Sequence, residues 1–258
     1  MYLRKDHAEL SIPALYEFIH QNPLGVLTTG LSSESYPFLQ STHLPWVLDQ
    51  TEDTATAVGS KLRGHLARAN PHTKALVEAA QKISPEGTGP VQLKDEVMIL
   101  FTSPVQHYVT PKFYVKTKPS TGKVVPTWNY AAVQAYGTAT IYFSTGTETG
   151  EFLSKQISDL SALAEEDVMG YDGKEGRKGP WTVDESPETY VNLLKKAILG
   201  IEIEITRLEG KWKMSQELGA EDRQGAIEGF RALEKPLGNQ MADLVQERGI
   251  LKHGAIEK

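Results

Sequence analysis

Short runs of β-type residues, separated by turn residues, fill the chain from Leu24 to about Phe143. Such a series predicts a mostly antiparallel barrel or sandwich. One run alternates polar residues with small or apolar ones, which are Val133, Ala135, Gly137, Ala139 and Ile141. Because successive side chains of a strand point to opposite faces, this strand has one small apolar face. The small face either leaves room for a bound molecule or allows close packing within the barrel, and both interpretations stay open.

Helical patterns lie on both sides of the β-rich part. An apolar face with Pro13 in the first turn predicts a helix over residues 11–20, and another is expected over about residues 71–81. Residues 165–181 are rich in glycine and charge and predict a loop. Further helices are expected after Phe143 over residues 147–164, 186–199, 220–233 and 237–248.

Strict alternation of isoleucine with glutamate predicts a half-buried strand over about residues 200–214, which returns to the first sheet. We therefore divide the chain into two regions. Residues 1–145 form the β-rich core with its N-terminal helix. Residues 146–258 form a helical region plus the returning strand, and we expect both regions to belong to one integrated domain.

Composition excludes several classes of protein. The 258 residues are 40% hydrophobic, carry a net charge of −6 and contain no cysteine. Disulfides and thiolate metal sites are excluded, and the acidic charge argues against a general nucleic-acid coat. No stretch has the length of a signal peptide or the ~20 apolar residues of a membrane span. We expect a soluble, cytoplasmic protein that neither crosses a membrane nor contacts nucleic acid directly.

A local run of positive charge interrupts this acidic chain. Residues 61–77 contain no acid and include four cations, which are Lys61, Arg63, Arg68 and Lys74. The run includes Asn70-Pro71, where a helical pattern begins, and a helix N-terminus stabilises negative charge. The run is either a solvated basic turn or a phosphate-binding segment.

Motifs for the commonest chemistries are missing from the sequence. There is no phosphate loop, no dinucleotide fingerprint, no zinc-protease motif and no hydrolase nucleophile elbow. The seven histidines lack metal-ligand spacing, so no metal site is expected. Three segments instead combine polar groups with apolar surface, as a site for a planar heterocycle bearing a phosphate requires: residues 40–45, 64–70 and 125–130.

These segments carry a family resemblance. T-H-L-P at residues 42–45, G-H-L-A-R-A-N-P at residues 64–71 and V-P-T-W-N-Y-x-A-V at residues 125–133 resemble the PaiB-type, FMN-binding negative transcriptional regulator family. The resemblance covers about residues 1–248. It implies an α+β fold, a flavin-binding split β-barrel of mainly antiparallel strands with peripheral helices and a helical C-terminal region. It also implies that the protein is related to pyridoxamine-phosphate oxidases and forms a homodimer with FMN bound between the subunits.

The resemblance also implies roles for individual residues. It assigns Arg68 and Asn70 to the phosphate of FMN, with His65 nearby. Further positions would contact the flavin, namely Thr42, His43 and Leu44 along its edge, Pro45 and Gly64 beside them, and Trp128, Asn129 and Tyr130 on a wall facing the dimer partner. The sequence identifies no residue as a general acid, a general base or a nucleophile. The catalytic candidates are His43, His65 and Tyr130.

Three functions remain open. We favour a flavin-dependent oxidoreductase acting on a small molecule. The alternatives are a flavin- or ligand-sensing transcriptional regulator and a haem-binding or haem-degrading protein. Residues 211–258 carry eight cations and eight acids, which gives little support to DNA contact. Two additions, at residues 111–124 and 165–180, depart from the resembled family, so its regulatory role is the least transferable property.

Overall fold

The computed structural model describes residues 1–53 and 55–254, and the chain separates into two compact units. We call the unit that contains both chain ends the terminal unit; it comprises Met1–Leu15, Thr102–Gln134 and Glu209–Lys258. The central unit comprises Tyr16–Phe101 and Ala135–Leu208. The sequence-based division at residue 145 stays a prediction.

Strands and helices alternate along the described chain. Its nine strands are β1 (Ala8–Glu9), β2 (Leu24–Gly30), β3 (Leu39–Pro45), β4 (Val47–Asp49), β5 (Lys61–Ala67), β6 (Val91–Thr102), β7 (His107–Val109), β8 (Thr127–Tyr142) and β9 (Ile198–Lys213). Its seven α-helices are α1 (Ile12–Gln21), α2 (Pro71–Ile83), α3 (Thr117–Thr121), α4 (Thr147–Ala162), α5 (Glu188–Lys195), α6 (Ala220–Arg231) and α7 (Pro236–His253). Shorter helical turns lie at Pro111–Phe113, Leu163–Val168 and Val183–Glu185. Within the described residues, no helix is both long and apolar enough to cross a lipid bilayer.

The loop predicted from residue 165 is wrong at its start. Leu163–Val168 forms a π-helical turn that continues α4. Glutamate tolerates helical backbone well, so Glu165 and Glu166 do not end the helix. The helical backbone ends by Gly170, whose φ of +70° only glycine adopts without strain.

In the central unit the strands form an antiparallel barrel. Their order is β3-β2-β6-β8-β9-β5-β4, and the β2–β3, β2–β6, β4–β5 and β5–β9 pairs are antiparallel. The sheet curves back on itself, because β3 contacts β5 although they lie far apart in this order. The isoleucines of β9 at positions 201, 203 and 205 are fully buried, whereas Glu202 and Glu204 are not. The predicted antiparallel barrel and the alternation of this strand are confirmed.

In the terminal unit, helices α6 and α7 pack together, and β1 and β7 pair with β9 and β8. The 111–124 segment lies against α6. The ring of Phe113 lies 5.1 Å from that of Phe230, measured between centroids, and the backbone N–H of Lys116 donates to the Asp222 carboxylate at 2.7 Å. This addition to the family pattern is therefore packed and hydrogen-bonded.

The small residues of β8 serve close packing. A Cβ atom built on Gly137 would lie 2.1 Å from the backbone oxygen of Glu204 on β9. The space beside this glycine is thus occupied by the neighbouring strand. Of the two interpretations left open by the sequence, close packing within the barrel holds at Gly137.

Replacement of Gly137 by alanine is expected to lower the free energy of unfolding by about 1–3 kcal/mol, because the new methyl group collides with backbone that cannot easily move. Urea unfolding measures the change. The control is Gly150→Ala in α4, where the added Cβ meets nothing within 4 Å beyond the adjoining part of its own helix and alanine favours the helix by up to about 1 kcal/mol. Equal stability of the Gly137→Ala protein and the wild type would contradict the packing argument.

Candidate functional site

Two of the four cations of residues 61–77 form ion pairs within the fold, and the other two form none with the described residues. Lys61 on β5 donates to Glu202 on β9 at 2.8 Å. Arg63 is 3% exposed, and its Nη2 donates to Asp49 at 2.8 Å and to Asp159 at 2.6 Å. These two side chains join β5 to neighbouring elements, so the basic run is not simply a solvated turn.

Arg68 and Lys74 line an open cleft along one side of helix α2, which we call the α2 cleft. Within the described part of the chain, neither cation forms an ion pair, and the Arg68 side chain donates only to the backbone oxygen of Phe143, at 2.9 Å. Burial lowers the pKa of Arg68, but a guanidinium remains charged at neutral pH. The cleft has a volume of about 360 Å³ and is lined by Ser35, Tyr36, Arg68, Thr73, Lys74, Val77, Glu78 and Gln81.

The acidic residue that lines the α2 cleft, Glu78, is already hydrogen-bonded within the protein. Glu78 accepts hydrogen bonds from Lys82 at 2.8 Å and from Ser33 at 2.7 Å, and these bonds lower its pKa. The α2 cleft therefore presents two positive charges without ion-pair partners beside one acid that is already hydrogen-bonded. Such an arrangement favours an anion.

Thr73 supplies an unused hydrogen-bonding group in the same cleft. It is 1% exposed, and its Oγ1 is buried without a hydrogen-bond partner. Buried hydroxyl groups are normally paired, so this one has the capacity to donate to a ligand. Sequence reasoning missed Thr73; its position three residues after the N-cap Asn70, within the first helical turn, is the signal that could have identified it.

The amide of Asn70 is occupied within the protein. Its Oδ1 caps α2 by accepting from the backbone N–H of His72 at 2.9 Å, and its Nδ2 donates to Thr42 Oγ1 at 3.4 Å. Asparagine is a favoured N-cap because its side chain satisfies a free helical N–H group. Direct contact of Asn70 with a phosphate stays a prediction, whereas its role in starting α2 follows from these bonds.

His72 is a buried histidine that the sequence analysis did not select. It is 2% exposed, with Nε2 2.9 Å from Thr29 Oγ1 and Nδ1 2.9 Å from Thr42 Oγ1. Burial lowers its pKa from 6.5 to about 4, so the ring is neutral at pH 7. His72 and Asn70 together fix the hydroxyl of Thr42, which is one of the predicted flavin contacts.

This buried ring predicts an acid-sensitive stability. The unfolded chain protonates His72 at a pKa near 6.5 and the folded chain only near 4, so its contribution is complete above pH 6.5 and is lost as the pH falls towards 4. The expected loss between pH 7 and pH 4 is about 3 kcal/mol. Urea unfolding at both pH values should show a pH dependence smaller by this amount in His72→Gln. The control is His43→Gln, which removes an exposed histidine; equal pH dependence in His72→Gln and the wild type would refute the assignment.

The remaining candidates on β3 and β5 differ in exposure. His43 is exposed, Pro45 is half-buried and Leu44 is 5% exposed. Gly64 lies against Trp46, whose ring would be 3.2 Å from an added Cβ, so packing explains this glycine. His65 has a buried Nδ1 without a partner, and burial lowers its pKa.

Trp128, Asn129 and Tyr130 lie in the terminal unit. Trp128 is 49% exposed and donates through Nε1 to Gln106 at 3.1 Å. Asn129 is fully buried and exchanges hydrogen bonds of 3.0 and 3.1 Å with Ser215, so its amide faces the protein interior. Trp128 and Tyr130 form an aromatic wall of a cavity of about 340 Å³, which is also lined by Thr102, Ser103, Gln106 and Ala131.

Known proteins resemble this chain along most of its length. Residues 1–207 match the family model described as "Putative FMN-binding domain". The chain is 54% identical to an uncharacterized protein of Aspergillus fumigatus, over 98% of this chain and 99% of that protein. It is 24% identical to protease synthase and sporulation protein PAI 2 of Bacillus subtilis, over 96% and 98% of the two chains. Among solved structures, the flavocytochrome Anf3 of Azotobacter vinelandii has a TM-score of 0.41 and 14% identity, over 80% of this chain and 69% of that one.

Proposed function

Because this chain belongs to the FMN-binding domain family, we propose that the α2 cleft holds the phosphate group of FMN. The observation that carries the proposal is the buried, unpartnered hydroxyl of Thr73 in a cleft that two unpaired cations also line. Arg68 offers a planar fork of donors, and Lys74 offers a point charge. An anion with several acceptor oxygens would satisfy all of these groups together.

The bound flavin would supply redox chemistry, and the protein would hold and orient it. We propose a flavin-dependent oxidoreductase that acts on a small molecule. Among the catalytic candidates, His65 has the strongest support, because its buried Nδ1 is free to donate or accept a hydrogen bond and its lowered pKa keeps the ring neutral at pH 7. His43 and Tyr130 remain candidates: His43 is exposed on β3, and the Tyr130 ring lies 5.5 Å from the Lys211 ammonium group.

We also propose that the protein is a homodimer. Large apolar side chains are exposed in both units: Tyr190, Leu193 and Leu194 on α5 in the central unit, and Tyr108, Val125 and Trp128 in the terminal unit. Exposed apolar groups of this kind mark interaction surfaces when they are contiguous. Light scattering should give a mass twice the chain's 28.5 kDa; a mass of one chain would contradict the dimer.

An absorption spectrum of the purified protein tests the cofactor first. We expect flavin bands, and chromatography of the released pigment should identify FMN. A haem band in place of flavin bands would support the haem alternative. A colourless protein that shows no thermal shift on addition of FMN would overturn the proposed function.

A further inference from the structure

A second cleft, distinct from the α2 cleft, lies in the terminal unit between α6 and α7. It has a volume of about 800 Å³, within the range of pockets that bind small molecules. Its walls include the apolar side chains of Val115, Ile227 and Ile250 together with Gly225 and Gly249. We call it the α6–α7 cleft.

Arg223 lines this cleft and is an unpaired buried charge. It is 4% exposed, and the one hydrogen bond of its side chain within the described residues is a long one, from Nη1 to the backbone oxygen of Leu218 at 3.3 Å. No carboxylate of the described chain forms an ion pair with it. Buried charges in proteins are normally paired, because removing an unpaired charge from water is costly.

The backbone beside Arg223 is shaped to admit its side chain. A Cβ atom on Gly249 of α7 would lie 2.7 Å from Nε and 2.8 Å from Cδ of Arg223. Glycine at this position therefore allows the arginine to lie against α7. The fold thus makes room for the buried guanidinium, although no counter-ion of the described chain holds it in place.

The other charges of the α6–α7 cleft are engaged or exposed. Glu221 pairs with Lys116 at 3.0 Å, and Arg231 lies 3.4 Å from Asp243. Glu228 is exposed and accepts from a neighbouring glutamine at 2.8 Å. Arg223 is thus the buried cation that remains without an anion.

We propose that the α6–α7 cleft binds a small molecule with a carboxylate and an apolar body, and that its carboxylate pairs with Arg223. The carboxylate matches the planar fork of the guanidinium, and the apolar body matches the valine and isoleucine walls. Nothing in this proposal depends on FMN, since every residue that carries it lies in the terminal unit and outside the α2 cleft.

Calorimetric titration of the full-length protein as purified, with sodium octanoate as the probe, tests the site. We expect octanoate to bind, and Arg223→Met to weaken its binding about tenfold or more, as expected for the loss of a charge-assisted hydrogen bond. Arg231→Met is the matched control, because it removes a cation of the same cleft that already has a partner; its effect should stay below about threefold. Absence of octanoate binding to the wild type, or equal binding to both variants, would overturn the proposal.

A pair of surface variants tests the proposed site even if the Arg223→Met protein does not fold. Ile250 lines the cleft and is 42% exposed, so it tolerates polar replacement. Ile250→Glu should bind octanoate about threefold or more weakly than Ile250→Gln, because only the glutamate repels a carboxylate. The uncharged probe 1-octanol should not distinguish the two. If the two Ile250 variants bind octanoate with equal affinity, the carboxylate of the ligand does not lie in the α6–α7 cleft.

Discussion

Replacement of Arg68 by methionine is expected to weaken FMN binding about 100-fold and to leave riboflavin binding unchanged. A fork of charge-assisted hydrogen bonds to a phosphate contributes about 3 kcal/mol, and each 1.4 kcal/mol is a factor of ten in affinity. Arg68 has no competing carboxylate in the described chain, so its charge is available to the ligand. Quenching of flavin fluorescence measures both affinities.

The matched control is Lys61→Met, which removes a cation from the same basic run of residues 61–77. Lys61 pairs with Glu202 and does not line the α2 cleft, so FMN affinity should change less than about threefold. Thr73→Val, which replaces a hydroxyl by a methyl group, should weaken FMN binding about tenfold. If Arg68→Met and Lys61→Met weaken FMN binding equally, the phosphate lies elsewhere.

Replacement of Arg63 by methionine is expected to lower the free energy of unfolding by about 3 kcal/mol, because charge-assisted hydrogen bonds to two partly exposed carboxylates are lost. The arginine is 3% exposed and bonds to both Asp49 and Asp159, so its removal leaves Asp49 without an ion-pair partner in the described chain and Asp159 with Lys155 alone. Equilibrium urea unfolding measures the loss. FMN affinity of the folded variant should remain that of the wild type, because Arg63 does not line the α2 cleft.

Lys155→Met is the control for this network. Lys155 also bonds to Asp159, at 2.6 Å, but its side chain is 65% exposed, and exposed ion pairs contribute less than about 1 kcal/mol. A loss below 1 kcal/mol in Arg63→Met would show that the buried network does not stabilise the barrel.

The features that the sequence predicts correctly are local. Alternation of isoleucine and glutamate identifies β9, since the period of a strand shows directly in neighbouring residues. Asn70-Pro71 marks the start of α2 because capping chemistry acts over a few residues. The motif segments identify the family, and the match over residues 1–207 confirms it.

Features that depend on distant residues could not be predicted from sequence. The basic run gives no indication that Arg63 meets Asp159, 96 positions away, or that Arg68 lacks such a partner. His72 looks like an ordinary helix residue until the fold brings Thr29 and Thr42 to its two ring nitrogens. The sequence likewise cannot show that Asn129 turns inward to Ser215. The regulator alternative stays open and predicts salt-dependent binding of DNA.

Titration of the flavin-free wild-type protein with FMN and with riboflavin tests the central claim most directly. The two ligands share the flavin ring system and differ in the phosphate. If Arg68, Thr73 and Lys74 hold that phosphate, FMN should bind about 100-fold or more tightly than riboflavin. Equal affinities would contradict the assignment of the α2 cleft to the phosphate of FMN.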